Sequence, residues 1–437
     1  MNWKGVLAAA TVLALAGCGG GGGDSGTTPT NHAPEAAFVF KPIATPQGVP
    51  VDLTVTASDQ DGDALTFTWK ITRGTLSAQN SKHSVMRWAT PAALGTDTVT
   101  VKISDGTATK TLVEELKVGY SLPAGGGTAP PVFHKSQSPY IVTLNGADPR
   151  LSVVDGTTTT IEPGTEIYLN TAGSFFDVLG ELDAQGTADE PIIIKQNDRT
   201  FSCGAVNSGR WDGILASGAS AIVNLDHVQL WYPTTGVRLR DSSNGILNNV
   251  AIRCSGKSSV SMEGFGFLQA IDSQFTDGAG EGIALSALPD SVRIQNCTLS
   301  FNQGSGISMD MEDVTQSVPI VVTYNDIEFN STHGISMAHS EFPQIHFNNF
   351  RGNGDSSVSS LYLQSGYPNS TGVVNFPELD ATCNFWGAAS SHQSTIDVGI
   401  HDKNDQSTVY TRVKSCPWLN SNPLTTTPNC SMSCPSP

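Results

Sequence analysis

Arg240, Glu263 and Asp310 are residues whose types and spacing could do chemistry in this chain. Two carboxylates roughly 6.5–9.5 Å apart are the equipment of an inverting glycosidase. One protonates the leaving oxygen and the other takes a proton from water. A neighbouring guanidinium favours the ionised carboxylate, so Arg240 beside Glu263 suits a base better than an acid. Whether these side chains meet depends on a repeat. Gly236-Val-Arg-Leu, Ser259-Val-Ser-Met, Gly282-Ile-Ala-Leu, Gly306-Ile-Ser-Met, Gly334-Ile-Ser-Met and Ser360-Leu-Tyr-Leu succeed one another at steps of 23, 23, 24, 28 and 26 residues. A period near 23 is one coil of a solenoid.

Each phrase is a short strand, and strand alternation separates its two faces. The apolar pairs Val237/Leu239, Val260/Met262, Ile283/Leu285, Ile307/Met309, Ile335/Met337 and Leu361/Leu363 face a shared core. One outward column reads Arg238, Ser261, Ala284, Ser308, Ser336, Tyr362, and the next reads Arg240, Glu263, Ser286, Asp310, Ala338, Gln364. Arg240 then sits beside Glu263, and Asp310 lies two coils beyond Glu263, at roughly 9 to 10 Å. Glu312 and Asp313 extend the acidity into the loop that lengthens this repeat. The plain alternative is a solvated sheet face with one ion pair.

A second phrase keeps step with the first. Leu225-Asp-His-Val, Leu247-Asn-Asn-Val, Ile271-Asp-Ser-Gln, Ile294-Gln-Asn-Cys, Tyr324-Asn-Asp-Ile, Phe347-Asn-Asn-Phe and Cys383-Asn-Phe-Trp share an apolar residue followed by two that are mostly polar. Asn and Asp tolerate left-handed backbone, so the phrase predicts a tight corner between strands. Amides stacked coil on coil can also bond along the solenoid axis. Trp231 and Tyr232 begin outward on a strand and run into a turn at Pro233. With Tyr362 they are the aromatics expected to stack on sugar rings, although a Trp packed under a loop is an equal expectation.

Composition limits the alternatives. Of 437 residues 44 are Gly and only 14% are charged, which fits an all-β, turn-rich chain. The net charge is -17, from 40 acidic and 23 basic residues. That balance argues against nucleic acid as a partner. At the N-terminus, Lys4 and the apolar run Val6 to Ala16 make a secretion signal. Leu15-Ala16-Gly17-Cys18 resembles the bacterial lipobox, which implies lipidation of Cys18 and a membrane partner through that anchor. Gly19 after the cysteine resembles the sorting signal for the outer membrane. Seven cysteines remain beyond Cys18. Cys297 falls on a core position and is expected as a buried free thiol, and Cys203 with Cys254, Cys383 with Cys416, and Cys430 with Cys434 are plausible pairs.

Alternating runs Val51-Asp-Leu-Thr-Val-Thr-Ala, Leu65-Thr-Phe-Thr-Trp-Lys-Ile and Thr98-Val-Thr-Val-Lys-Ile, separated by Asp-Gly and Arg-Gly turns, predict a β-sandwich. Asn31-His-Ala-Pro, Ala57-Ser-Asp-Gln-Asp-Gly-Asp and Val101-Lys-Ile-Ser-Asp-Gly resemble bacterial Ig-like, PKD-like or cadherin-like modules. Asp59, Asp61 and Asp63 offer three carboxylates over five residues, a set that could hold Ca²⁺. The competing reading is a solvated acidic turn in which Asp supplies turn hydrogen bonds, and no other cofactor is expected. Further on, Ile161-Glu-Pro-Gly-Thr, Leu182-Asp-Ala-Gln-Gly-Thr, Trp211-Asp-Gly-Ile and Asn384-Phe-Trp-Gly resemble the coils of bacterial right-handed β-helix surface proteins of the pectate-lyase-like superfamily.

The expected order is a signal peptide at 1–17, a flexible spacer at 18–32, a β-sandwich at 33–119, a linker at 120–132, a right-handed parallel β-helix at 133–417 and a Cys-containing tail at 418–437. The expected function is that of a lipid-anchored cell-envelope protein, facing the surface or the periplasm from the outer membrane. Its β-helix binds an extended partner, a polysaccharide or another surface component. The alternatives are a polysaccharide lyase or glycoside hydrolase on the β-helix face, and a purely structural surface component.

Overall fold

The computed structural model describes residues 30–39, 42–122, 127–144, 146–203, 209–286, 289–311, 319–338, 343–354, 361–363, 379–386, 400–401, 413–415 and 419. Cys18, Glu312, Asp313, Gln364, Cys416, Cys430 and Cys434 lie outside them. Among the described residues the structure is all β, apart from one three-residue 3-10 turn at Lys135–Gln137.

The N-terminal strands form a sandwich of two sheets. Glu35–Phe38, Val51–Ser58, Val85–Ala89 and Thr75–Ala78 make one. Thr66–Ile71, Gly95–Ser104 and Thr109–Ser121 make the other, as the end of a longer sheet. Leu53, Trp88, Val99, Leu116 and Val118 fill the space between them. The alternation that predicted these strands is the alternation that buries them.

The chain then winds into parallel coils, each contributing a strand to three long sheets. In the first sheet the pairing runs Val237↔Val260↔Ile283↔Ile307↔Ile335↔Leu361, the order in which the Gly-Ile-Ser-Met phrases align. Val237, Leu239, Val260, Met262, Ile283, Leu285, Ile307, Met309, Ile335, Met337 and Leu361 are buried in one continuous core. That core reaches from Ala129 to Ile400, because no coil can bury its apolar face alone. A second sheet runs through Ile222–Asp226, Asn244–Asn248, Phe267–Ile271, Ser291–Gln295 and Ile320–Thr323. A third runs through Val228–Trp231, Ala251–Arg253, Gln274–Thr276, Thr298–Ser300, Asp326–Glu328 and Asn349–Arg351.

The corner between the second and third sheets is a single left-handed residue. His227, Asn249, Asp272, Asn296, Tyr324, Phe347 and Cys383 hold φ between 49° and 61° there. The register corrects the second phrase. Gln295 pairs with Thr323, so Asn296 is equivalent to Tyr324, two residues from the alignment that the polar pattern suggested. In the later coils aromatic residues take the corner and asparagine moves inward. Asn325, Asn348 and Asn384 form a buried ladder: Asn325 N and Nδ2 donate to Asn348 Oδ1 at 3.0 and 2.9 Å, and Asn348 N and Nδ2 donate to Asn384 Oδ1 at 2.8 and 3.1 Å. A second ladder, Asn302–Asn330–Asn353, lines the turn after the third sheet. Cys297 occupies the first ladder's column one coil earlier and is a buried free thiol, its pKa pushed up to about 12 by burial. Cys203 and Cys254 form a disulfide, and Cys383 is disulfide-bonded.

Within the stretch 120–132, expected as a linker, the described residues at both ends make strand pairs. Tyr120 and Ser121, at the end of a sandwich strand, pair in parallel with Tyr140 and Ile141 of the solenoid. Gly127–Thr128 pairs with Leu151 and Ser152, and Val132–Phe133 with Thr160 and Ile161. Backbone pairing needs no side chain, so residues that read as a spacer can serve as edge strands. Sandwich and solenoid therefore share one sheet. Asn197 clasps the joint, its Oδ1 accepting from Ile43 N and Ala44 N at 2.8 and 2.9 Å and its Nδ2 donating to Ala44 O at 2.8 Å.

Candidate functional site

On the first sheet the outward columns fall as the repeat predicts. Arg240 pairs in register with Glu263. Asp310 follows two coils on, exposed at the end of its strand. Arg238 joins them from the neighbouring column, which the alternation had kept apart. Its Nε and Nη2 grip the two Glu263 oxygens at 2.7 and 2.8 Å, Arg240 Nε adds a contact at 3.1 Å, and Ser261 Oγ donates at 3.0 Å. Burial pushes the Glu263 carboxyl up, but the bonds from Arg238, Ser261 and Arg240 outweigh it and hold the pKa below its usual value. Glu263 is thus a saturated ion-pair acceptor. Tyr362 is half-buried and stacks on His333 at 4.4 Å.

In the sandwich, Asp59, Asp61 and Asp63 bring ligand oxygens within 4.8 Å of one another. Asp59 Oδ1 accepts from the backbone N–H of Asp61 and Asp63 at 2.9 and 3.2 Å, closing an Asx turn, while its Oδ2 is buried without a partner. Asp61 is bonded to His32 N and Nδ1 at 2.6 and 2.9 Å, and those bonds lower its pKa.

The flank formed by the third sheet carries more. Trp231 is outward and half-buried at the end of its strand, with the Arg253 guanidinium 5.4 Å from its ring centroid. Tyr232 takes the left-handed position after it and packs against Phe201 at 5.7 Å. Farther along, two aromatic ridges border the same sheet. Tyr324 and Phe347 stack at 5.0 Å on one edge. Phe301 and Phe329 stack at 5.3 Å on the other and are 59% and 40% exposed. The ridges are roughly 16 Å apart, five residues at strand rise. Sequence reasoning read Tyr324 and Phe347 only as the apolar leaders of the corner phrase, and it passed over Phe301 and Phe329. They stand at left-handed positions, where Asn, Asp or Gly is the usual occupant. Their signal was a bulky aromatic directly after each short strand or directly before the next.

Between the ridges lies a polar floor. Asp326 and Glu328 flank core residue Ile327 on their strand, Asp326 half-buried and Glu328 buried at 7% exposure. Asn349, one coil on and 1% exposed, donates Nδ2 to Asp326 and to Glu328, while Arg351 pairs with Glu328. Burial and a hydrogen bond to Glu328 push the Asp326 carboxyl up to about 6, against the opposing pull of Asn349 and Arg351. A folded pKa above the unfolded value of about 3.9 means that the native state binds more protons. Stability therefore falls as pH rises from about 4 to about 6. Asp326→Asn keeps an acceptor for Asn349 and supplies an N–H toward Glu328. We expect it to stabilise the fold at pH 7.5 by about 1 kcal/mol, discounted for partial exposure. Thermal melts at pH 4.5 and 7.5 check this, and an equal shift at both pH values would refute it.

Residues 31–113 match a family profile described as a bacterial Ig domain, and residues 212–371 one described as a right handed beta helix region. The chain carries a bacterial Ig domain and a right-handed β-helix. Both ridges and the acid pair fall within the matched span of the β-helix. An Ig domain of this kind fits an extracellular or surface protein. Among the described residues no helix is long and apolar enough to cross a membrane. No curated protein matches the chain. A solved structure of a nucleoside hydrolase-related hypothetical protein from Saccharophagus degradans, described as associated with carbohydrate metabolism, is similar at 20% identity with a TM-score of 0.17. The match spans 22% of this chain and 27% of that one, too little to carry an argument.

Proposed function

We propose that this is a lipid-anchored cell-envelope protein whose β-helix binds an extended polysaccharide along the flank of its third sheet. The observation that carries the reading is the pair of aromatic ridges, Tyr324–Phe347 and Phe301–Phe329, bordering a floor of Asp326, Glu328, Asn349 and Arg351. Ring faces offer apolar area to the C–H faces of sugars, and Asp326 and Arg351, the more open members of the floor, offer hydrogen bonds to their hydroxyls. Phe301 is 59% exposed, and Phe329, with the Arg351 guanidinium 5.1 Å from its ring centroid, is 40% exposed, as contact surfaces are. Hydrolysis at Glu263 and Asp310 is the weaker reading. Arg238, Ser261 and Arg240 occupy the Glu263 carboxylate and favour its ionised form, which a general acid cannot use.

Affinity electrophoresis tests the reading in native gels containing xyloglucan, glucomannan, dextran, polygalacturonate or alginate. The wild type is expected to be retarded by at least one of them. Phe329→Ala should weaken that retardation about fivefold, or about 1 kcal/mol, the scale of one aromatic contact. Free migration in all five gels would sink the reading. The anchor is tested in the same study by fractionation: Cys18→Ser should move the protein out of the membrane fraction, and retention there would argue against the lipid.

A further inference from the structure

We propose that the notch behind Tyr324, at the corner between the second and third sheets, is a subsite for one uncharged pyranose ring of the bound glycan. The proposal rests on the glycan-binding reading and assigns it a sugar class and a place. A cavity of about 510 Å³ opens there, lined among others by Asp272, Gln295, Asn296, Thr298, Tyr324 and Asp326. That volume falls in the range of about 300–1,000 Å³ usual for small-ligand sites.

The register orients the ring. Thr323 pairs with His346, so Phe347 lies one coil after Tyr324, and Gln295 pairs with Thr323, so Asn296 lies one coil before. Tyr324 and Phe347 are nearly parallel, at 13°. One face of Tyr324 is therefore covered by Phe347, and the other looks back over Asn296 into the cavity. A stacking face bordered by hydroxyl, amide and carboxyl groups is the pattern that a sugar ring needs. At the far end stands Asp326, held by the buried Asn349.

Charge selects among sugars. Asp272 and Asp326 are the carboxylates among these six, and no Lys or Arg lines the cavity. The nearby guanidinium of Arg293 is bonded to Gln295 Oε1, and that of Arg351 to Glu328. The carboxylate of a uronic acid would meet two aspartates and no cation, a like-charge contact that disfavours it. Neutral hydroxyls instead find acceptors in both.

The same gels decide the matter with Tyr324→Asn and Tyr324→Phe. Asn already occupies the equivalent left-handed position at Asn296, so the first variant removes the ring while suiting the backbone. Its melting curve should match the wild type's. We expect retardation by xyloglucan, glucomannan or dextran, at least about fivefold weaker in Tyr324→Asn and unchanged in Tyr324→Phe. If the wild type binds and Tyr324→Asn binds equally well, the notch is overturned while the flank reading stands. Tighter binding to polygalacturonate or alginate than to the neutral polymers overturns the sugar class. Absence of binding to any polymer overturns both.

Discussion

Asn348→Ala is expected to destabilise the β-helix by about 4 kcal/mol or more. The side chain is fully buried, and every polar atom of it is used. Oδ1 accepts from Asn325 N and Nδ2, while Nδ2 donates to Val322 O at 2.8 Å and to Asn384 Oδ1 at 3.1 Å. Truncation orphans Asn325 N, and it removes one partner each from Val322 O, which lies in the strand ladder, and from the Asn325 and Asn384 amides. A buried polar group left unpaired costs about 1–3 kcal/mol, so one full loss and three partial ones reach that sum. Asn348→Asp should be nearly as harmful, because a carboxylate would face Val322 O and Asn384 Oδ1 without a proton to give. Denaturant unfolding followed by circular dichroism measures both. A loss under about 1 kcal/mol for Asn348→Ala would show that water replaces the ladder at no net cost.

Gly213→Ala should be as damaging for a different reason. Gly213 has φ +100°, and a Cβ there would stand 1.7 Å from Thr235 O and 2.7 Å from Gly236 O. Both obstacles are backbone atoms of the next coil, which no rotamer change can move. The glycine belongs to the Trp211-Asp-Gly-Ile motif, and it lets two coils approach where Ile214 N donates to Gly236 O at 2.9 Å. Loss of soluble folded protein, or destabilisation above about 4 kcal/mol, is expected. Gly218→Ala is the internal control. Its φ is +99° and nothing lies within 4 Å of the added carbon, so it isolates backbone strain at about 1–2 kcal/mol. Equal effects of the two substitutions would mean that conformation, not close approach, explains the motif.

The first sheet was legible residue by residue because its core positions repeat in type. Val, Ile, Leu or Met stands at each, and the Gly or Ser before them marks the register. The second phrase was legible only as a period. Asparagine serves two purposes at this corner, left-handed outside at Asn249 and Asn296 and ladder-forming inside at Asn325 and Asn348, and one letter cannot tell them apart. Reading Asn325 and Asp326 together as corner residues also hid the strand that begins at Asp326. The acid pair on that strand went unseen for this reason, although Asp-Ile-Glu is plain alternation. Trp231 and Tyr232 were legible as a strand end running into a turn because Pro233 announces it. Contact between Arg238 and Glu263 was out of reach, since it depends on how far a long side chain leans between columns.

The sheet shared by the Ig domain and the β-helix determines how the joint carries tension. Ala44–Pro46 lies parallel to the strand Thr109–Ser121, with Ala44 opposite Lys117 and Pro46 opposite Gly119. A pull from the N-terminal side draws on the first strand at its beginning, and the β-helix draws on the second at its end. Parallel strands pulled from those opposite ends are sheared along their length, so their hydrogen bonds share the force at once. Strands pulled from the same end would instead peel one bond at a time. Under load applied at those two ends, the joint is a mechanical clamp rather than a hinge.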